Sequence, residues 1–233
     1  MALQNELAKE VAAIFNPNWT TDKALVVPTA NSDLLLNSNH AKLLDSATVL
    51  YADLDGSTAM VDANEWYFAA EVYKAYLRCA SQIIRSEQGT IAAYDGDRVM
   101  GVFFGEYKNT RAVRAGLKIN GAVTNIINPA LRAKYVGTNF VVTHVVGIDT
   151  SPLHVAKIGV HRDNDLVWVG RAANYAAKLC SLSGKPTWIT KAVYDRIAPE
   201  AKLCGQVDMW ERYTWNAMNK IPIYCSTYLW KTI

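Results

Sequence analysis

The sequence has few of the features that would assign it to several common classes of protein. Its 233 residues include only four cysteines, at positions 79, 180, 204 and 225, and no CxxC pair. This spacing indicates free thiols rather than a disulfide scaffold or a zinc motif. With only 13 Gly and 7 Pro and with 51% hydrophobic residues, the composition also excludes collagen-like and disordered chains.

Long apolar runs are also missing. No stretch approaches the roughly 18 apolar residues of a membrane-spanning helix, and Glu6, Lys9 and Glu10 interrupt the first 14 residues, so no secretory signal is predicted. The 24 Lys and Arg nearly balance the 21 Asp and Glu, so charge does not point to a nucleic-acid partner. We therefore expect a cytoplasmic protein without direct membrane contact.

The pattern along the chain divides it in two. Residues 1–46 contain Asn16-Pro17-Asn18 and Pro28 and are expected to form a helical N-terminal extension with loops. Residues 47–233 have regular periodicity and are expected to form one domain. Within it, Ala47–Leu54 is a short apolar run that predicts a buried strand, and Asp62–Gln88 has the spacing of a long amphipathic helix.

The next segments define the fold class. Thr90–Tyr94 and Arg98–Phe104 predict a hairpin around Asp95-Gly96. Lys108–Ile127 returns to helical spacing, and Pro129 is expected to end that helix. Two later strands are expected on either side of a turn at residues 150–152. This order predicts an α+β domain of the ferredoxin-like βαββαβ kind, with the helices on one face of the sheet.

Two acidic turns are the most specific feature of the domain. Asp53 and Asp55 close the first predicted strand, and Asp95 and Asp97 lie in the hairpin turn. In a βαββ order the first strand lies beside the hairpin, so both turns are expected at one sheet edge. Two carboxylates brought together repel each other unless they are neutralised. Mg²⁺ is bound in this way, through one or two carboxylates together with substrate phosphates.

Ordinary turns are the alternative, because Asp bonds its own backbone and Gly adopts positive φ in turns without any ligand. Tyr51 shares a strand face with Asp53 and is expected beside the site. A buried aromatic residue whose hydroxyl is satisfied locally is an equally good interpretation of Tyr51.

Three segments together resemble the class III nucleotidyl cyclases, the family of adenylate and guanylate cyclases. Val49–Thr58 (VLYADLDGST) resembles the first metal-binding strand of that family, and Tyr94–Phe103 (YDGDRVMGVF) resembles its second metal-binding hairpin. Val169–Lys178 (VGRAANYAAK) resembles the segment that contacts the transition state. The resemblance covers about residues 47–230, with the motifs in the family's order.

The resemblance implies a two-metal site. Asp53 and Asp97 would hold two Mg²⁺ or Mn²⁺ ions, with the carbonyl of Leu54 as a further ligand. Backbone N–H groups around Ser57 and Thr58 would bind the triphosphate. The ribose 3′-hydroxyl would then attack the α-phosphate in line, and pyrophosphate would leave.

The resemblance also assigns the remaining polar groups. Asn174 would orient the ribose, and Lys178 would contact the α-phosphate where the family usually has Arg, which is not a neutral change. Arg162 and Lys220 are candidates for binding the triphosphate. In the family the metals are bound by one protomer, whereas the Asn and Arg come from the other. A head-to-tail homodimer with shared active sites is therefore implied.

Two departures concern the base. Ala93 and Val167 occupy positions where adenylate and guanylate cyclases have their purine-reading residues, and a pocket that loses such partners loses affinity for purines. Tyr51 stands where Phe is usual in the family. Arg98 and Arg171 are candidates to meet the O2 or O4 acceptors of uracil.

These features resemble the Pycsar pyrimidine cyclases of bacterial antiphage defence. That resemblance implies conversion of UTP to 3′,5′-cyclic UMP, a messenger for a downstream effector that senses cyclic nucleotides. The alternatives are cyclic CMP from CTP, a purine cyclase that reads its base through backbone groups, and a catalytically inactive nucleotide-binding module. Lys178 favours the inactive module, whereas Asp53, Asp97 and Asn174 argue against it.

Overall fold

The computed structural model describes residues 2–30, 32–36, 38–160 and 163–230, with the backbone alone at residues 160, 163 and 164. The helices are α1 (Ala2–Phe15), α2 (Ser57–Ala63), α3 (Trp66–Ser86), α4 (Lys108–Ala122), α5 (Asn128–Lys134), α6 (Arg171–Leu179), α7 (Lys191–Tyr194) and α8 (Pro199–Lys202). The strands are β1 (Thr20–Lys23), β2 (His40–Asp55), β3 (Thr90–Asp95), β4 (Arg98–Phe103), β5 (Thr143–Val160), β6 (Asp163–Val169), β7 (Thr187–Thr190), β8 (Leu203–Cys204), β9 (Val207–Asp208), β10 (Glu211–Trp215) and β11 (Ile221–Ser226).

One mixed sheet organises the described part of the chain. Its strand order is β10-β11-β7-β5-β2-β4-β3, and β1 pairs with β2 while β6 pairs with β5. The long strands β2 and β5 are antiparallel neighbours, and β5 pairs with β7 in parallel. The expected α+β class is therefore confirmed. The β3–β4 hairpin forms as predicted, but Asp95 ends β3 and the two turn residues are Gly96, at φ +60°, and Asp97.

The strand β2 is buried on both faces, which explains its continuous apolar run. Leu50, Ala52 and Leu54 belong to the larger apolar cluster, which includes buried residues of α3 and α4. Val49 belongs to a second cluster on the other face, and Tyr51 packs against that cluster. Because side chains alternate along a strand, Asp53 is directed to the same face as Val49 and Tyr51.

Helices cover both faces of the sheet, so the expectation of helices on one face alone was wrong. α3 and α4 cover the face of the larger cluster, and α6 covers the opposite face through Ala172, Ala173 and Ala176. The close approach of α6 depends on glycine in β5. A Cβ atom at Gly147 would lie 2.2 Å from the carbonyl oxygen of Ala176.

Two prolines behave differently from expectation. Residues 150–152 do not form a turn, because β5 continues through them and Pro152 lies opposite a β-bulge in β2, between Leu44 and Ala47. A bulge interrupts the ladder, so the missing N–H of proline costs little there.

Pro129 does not end the helical segment either. A π-helical turn over Val123–Ile127 changes the hydrogen-bond register, and Pro129 then falls in the first turn of α5, which needs no N–H.

The helix predicted over Asp62–Gln88 is divided. α2 ends at Ala63, and the side-chain amide of Asn64 donates a hydrogen bond of 2.8 Å to the carbonyl oxygen of Met60. This side-chain contact satisfies one of the last carbonyl groups of α2. In an uninterrupted helix a backbone N–H group would take that place. α3 begins at Trp66 and buries a stripe that includes Val72, Tyr76 and Ile84.

The N-terminal extension joins the domain through the central strand. α1 is present, and β1 pairs in parallel with the beginning of β2, from Thr20↔His40 to Lys23↔Leu43. Residue 46, where composition suggests the domain boundary, lies within β2.

A short 3₁₀ turn over Asn216–Met218 connects β10 to β11. None of the described helices combines the length and the apolar composition needed to cross a bilayer.

Gly147→Ala is expected to lower stability by about 2 kcal/mol, since the added methyl group overpacks the contact between β5 and α6. Urea unfolding monitored by tryptophan fluorescence measures this loss. Gly116→Ala is the matched control, because a Cβ there would lie 3.3 Å from the nearest side-chain methyl carbons rather than against backbone. Equal losses for the two variants would contradict a tight α6 contact.

Candidate active site

Asp53 and Asp97 are brought to one end of the sheet by the pairing of β2 with β4. Ala52 pairs with Val99 in that ladder, so Asp53, the next residue, lies level with the start of β4. Asp97 lies in the two-residue turn that precedes β4. The two acidic segments predicted to meet therefore do meet in the fold.

The two carboxylates affect each other electrostatically. Burial, and then the charge of Asp97, raise the pKa of Asp53 to about 6, while Arg98 acts in the opposite direction. Within the described residues, the Oδ2 atom of Asp97 is buried and has no hydrogen-bond partner. A half-buried carboxylate pair with one unsatisfied oxygen is costly without a cation, because two like charges that are partly shielded from water repel each other strongly.

This donor set fits a divalent cation. Carboxylate oxygens and a backbone carbonyl, such as that of Leu54, are the ligands that Mg²⁺ prefers. Nowhere in the described residues do three or more carboxylate, imidazole or thiol side chains form a metal-binding group. The chain would therefore supply two carboxylates here and leave further coordination positions to water or to a phosphorylated ligand.

Tyr51 and Arg98 form an aromatic and cationic surface beside the carboxylates. The guanidinium carbon of Arg98 lies 5.0 Å from the centroid of the Tyr51 ring, within the range of a cation–π contact. Arg98 also forms an ion pair of 2.6 Å with Asp95. Ala93, with its small side chain, packs against the same cluster as Tyr51. The surface next to the carboxylates is thus partly apolar and bordered by the N–H donors of Arg98.

Two residues that the sequence did not single out, the buried Tyr76 and the partly buried Cys180, support the strand that carries Asp53. The Tyr76 hydroxyl in α3 donates a hydrogen bond of 3.2 Å to the Asp53 carbonyl oxygen. The Cys180 thiol lies 3.4 Å from the Tyr51 carbonyl oxygen, and burial raises its pKa to about 12, so it remains a protonated donor. Both contacts join residues far apart in sequence, and no local pattern could have indicated them.

The segment that follows Asp55 turns sharply into α2. Gly56 adopts φ +73°, a left-handed conformation that glycine tolerates best, and nothing lies within 4 Å of a Cβ built there. Ser57 is half-buried and Thr58 is exposed. These two residues therefore begin α2 next to the end of the strand that carries Asp53.

Asn174 and Lys178 lie together, but not with the carboxylate pair. Both are exposed residues of α6, one helical turn apart. The Nζ atom of Lys178 lies 3.6 Å from the sulfur of Met218. The charges that act on Asp53 are those of Asp97, Arg98 and Asp95, and Lys178 is not among them.

Lys220 lies in a strained turn near Lys178. Asn219 and Lys220 both have positive φ, +55° and +58°, which costs a non-glycine residue on the order of 1 kcal/mol or more. The turn follows Met218, which Lys178 contacts, and the edge-to-face packing of Tyr175 on Trp215, with ring centroids 5.6 Å apart, ties α6 to β10. The two lysines therefore share one edge of the protomer.

Two further predicted residues lie apart from the carboxylates. Arg171 binds the buried Asp149 through Nε at 3.0 Å and the Thr150 carbonyl oxygen at 2.7 Å, so its guanidinium anchors the start of α6. Val167 pairs with Ala156, eleven residues along β5 from Val145, the partner of Asp53. That separation is about 36 Å along a strand. Arg162 lies outside the described residues.

The candidate site residues therefore fall into two groups, which we call the two halves of the site. One half contains Asp53, Asp97, Tyr51 and Arg98, and the other contains Asn174, Lys178 and Lys220. A cleft of about 460 Å³ at the same end of the sheet is lined by Asp55, Arg132 and Lys185, but Asp53 and Asp97 do not line it.

The fold and the site define a class of protein. The adenylyl cyclase CyaB of P. aeruginosa superimposes with a TM-score of 0.68 at 22% identity, over 83% of this chain and 98% of that one. The guanylate cyclase domain of RhGC from Catenaria anguillulae, in complex with GTP, gives a TM-score of 0.63 at 16% identity, over 81% and 100%. The fold is that of a class III nucleotidyl cyclase catalytic domain.

Sequence comparison identifies the family. A uridylate cyclase from Burkholderia cepacia is 56% identical over 230 residues, 99% of each chain, and one from Xanthomonas perforans is 53% identical over 231 residues, again 99% of each. No protein-family model matches the chain. The chain belongs to the same family of class III nucleotidyl cyclases as these two proteins, and it is a nucleotidyl cyclase.

Metal-free protein is expected to be stabilised by Asp53→Asn at neutral pH. The folded state raises the pKa of Asp53 from 3.8 to about 6, so folding binds a proton between these values and stability falls as pH rises through them. The variant should therefore melt at a higher temperature than wild type above pH 6, and at the same temperature near pH 4.

Thermal unfolding in EDTA across this pH range tests the prediction, with Asp62→Asn, an exposed carboxylate of α2, as control. Addition of Mn²⁺ should reverse the order at pH 7.5, because only the wild type retains both carboxylates. If Asp53→Asn raised the melting temperature equally at pH 4 and pH 7.5, Asp53 would not have the raised pKa described above.

Proposed function

We propose that the protein converts UTP to 3′,5′-cyclic UMP and pyrophosphate in a homodimer with shared active sites. The observation that carries this proposal is the half-buried pair of Asp53 and Asp97, with its unsatisfied carboxylate oxygen, beside the surface formed by Tyr51 and Arg98. The names of the two relatives support the choice of UTP.

Asp53, Asp97 and the Leu54 carbonyl would hold two Mg²⁺ or Mn²⁺ ions. When bound, such ions lower the pKa of the ribose 3′-hydroxyl and neutralise charge on the triphosphate. The raised pKa of Asp53 in the metal-free protein fits this role, because burial and the charge of Asp97 both disfavour the ionised carboxylate and a bound cation would offset both effects. The backbone around Ser57 and Thr58 would bind the phosphates nearest the metal pair.

The second half of the site would complete it in trans. Asn174 would hold the ribose, while Lys178 and Lys220 would bind phosphate oxygens as charge moves from the 3′-oxygen to pyrophosphate. Lys178 would make a single-point contact where the family usually has a forked Arg. Its neighbour Lys220, held in a strained turn, would add a second positive charge to the same half.

Base selection would rest on Tyr51, Ala93 and Arg98. The Arg98 guanidinium lies over the Tyr51 ring and would donate to the O2 or O4 of uracil, and the Tyr51 ring would occupy space that a purine needs. Arg171 is less suited to this task, because Asp149 and the Thr150 carbonyl already accept its N–H groups. Val167 would contribute from the partner protomer, where an apolar side chain offers no hydrogen bond to a purine.

The product would act as a second messenger. UTP is a cytoplasmic metabolite, so the enzyme would work in the bacterial cytoplasm. Its cyclic product would reach a separate effector that senses cyclic nucleotides and acts in antiphage defence. Cyclic CMP from CTP remains the nearest second candidate, because the same aromatic and cationic surface can accept either pyrimidine ring.

Incubation of the pure protein with each ribonucleoside triphosphate and Mn²⁺, followed by mass spectrometry of the products, tests the proposal. We expect cyclic UMP as the main product, with Asp97→Asn inactive. In competition assays, Arg98→Ala should lower the preference for UTP over ATP by about tenfold or more, the cost of losing one polar contact to the base. Cyclic AMP or cyclic GMP alone, or no product, would refute it.

A mixing experiment tests whether two protomers share each site. Asp97→Asn and Asn174→Ala should each be inactive, but an equimolar mixture should recover about a quarter of wild-type activity, because half of the dimers are mixed and each has one intact site of two. A mixture of Asp53→Asn with Asp97→Asn is the matched control. Both changes lie in the same half, so no intact site can form, and recovery there would contradict shared sites.

A further inference from the structure

The N-terminal helix α1 is exposed along its whole described length. None of its 14 residues is buried, although Leu3, Leu7, Val11, Ile14 and Phe15 are large and apolar. Phe15 is 83% exposed. Isolated helices of about this length are marginally stable in water, and most helices in proteins depend on packing of an apolar face. α1 therefore needs a surface that its own domain does not provide.

The apolar residues of α1 form one stripe. At about 100° per residue, they fall within about 120° of the helix circumference. Lys9 lies on the opposite face and Glu6 to one side, while Glu10 borders the stripe. This is the pattern of a helix that packs on another apolar surface, and it differs from the scattered exposed apolar residues that are normal on any protein.

The C-terminal end of α1 is attached to the domain. The side-chain amide of Asn39 donates to the carbonyl oxygens of Ile14, at 3.3 Å, and Pro17, at 2.8 Å. Thr20 then begins β1, which pairs with the central strand β2. The end of the helix is therefore fixed to the sheet, whereas its stripe remains uncovered.

Charge argues against a lipid surface as the occupant. Helices that lie on anionic membranes carry several Lys or Arg on the polar face, whereas α1 has Lys9 as its single basic residue and carries Glu6 and Glu10. Under the proposed function, the two halves of the candidate site are completed by a second copy of the chain. In a two-fold dimer identical surfaces meet, so two copies of one apolar stripe can cover each other.

We infer that α1 is a dimerisation arm whose stripe packs against α1 of a second copy. This inference rests on the homodimer of the proposed function. The 56% identical relative matches over 99% of this chain, so its alignment includes most of the extension. The arm would hold together the two protomers that each supply half of an active site, and it would make activity depend on protein concentration when it is weakened.

Leu7→Glu tests the arm by placing a charge at the centre of the stripe. The matched control is Ala12→Glu, which adds the same charge on the far side of the same helix. Both residues are exposed, so neither change disturbs the core. Sedimentation velocity should give a dimer dissociation constant at least about tenfold higher for Leu7→Glu and an unchanged one for Ala12→Glu.

Cyclase assays across a dilution series provide the second readout. Specific activity of Leu7→Glu should fall on dilution and approach the wild-type value at high concentration, while Ala12→Glu follows the wild type. An unchanged dissociation constant for Leu7→Glu would overturn the inference. Binding of the wild type to phosphatidylglycerol vesicles that Leu7→Glu abolishes, with dimerisation unaffected, would overturn it as well.

The two proposals fail in different ways. If the wild type forms no cyclic UMP but Leu7→Glu still weakens the dimer, the proposed function fails and the arm remains. If Leu7→Glu dimerises and turns over UTP like the wild type, the arm fails and the proposed function remains.

Discussion

Burial of β2 on both faces is the constraint on which the site depends. Leu50, Ala52 and Leu54 belong to the cluster of α3 and α4, whereas Val49 and Tyr51 pack on the other face, against the cluster of α6. A shift of one residue in the register would exchange these two sets and move Asp53 to the opposite face. Burial of β2 on both faces therefore fixes the position of Asp53 along the strand and the face of the sheet to which its carboxylate is directed. The ladder with β4 then brings Asp97 level with it, and the Tyr76 hydroxyl holds the Asp53 carbonyl from the helical side.

The carboxylate pair is unfavourable for the domain that carries it. Burial and the charge of Asp97 raise the pKa of Asp53, and one oxygen of Asp97 has no partner among the described residues. The strained turn at Asn219 and Lys220 adds a second unfavourable feature on the other half of the site. Functional sites often store such costs, which a bound ligand relieves. Under the proposed function, a metal–nucleotide complex bound between two protomers would neutralise the carboxylate pair.

Small residues let α6 pack closely on the sheet and hold Asn174 and Lys178 in place. Gly147 and the small residues Ala172 and Ala176 let the helix lie directly on β5, and the ion pair between Arg171 and the buried Asp149 fixes the beginning of the helix. The exposed face of α6, with Asn174 and Lys178, is therefore presented rigidly. The sequence suggested Arg171 as a base-reading residue, but its guanidinium is bound to Asp149. A local motif cannot distinguish these roles, because Asp149 is distant in sequence and its burial is a tertiary property.

The sequence by itself determined the α+β class, the β3–β4 hairpin, the acidic pair and the family, because each depends on residues close together in the chain or on three motifs in a fixed order. Only the tertiary structure decided that β5 runs on through Pro152, that helices cover both faces, and that Tyr76 and Cys180 support the strand that carries Asp53. It also decided which predicted residues meet. Tyr51 lies under Arg98, and Lys178 lies near the turn of Lys220, whereas neither lysine joins the carboxylates within one protomer. Distances of this kind depend on packing between segments far apart in sequence, which local spacing does not encode.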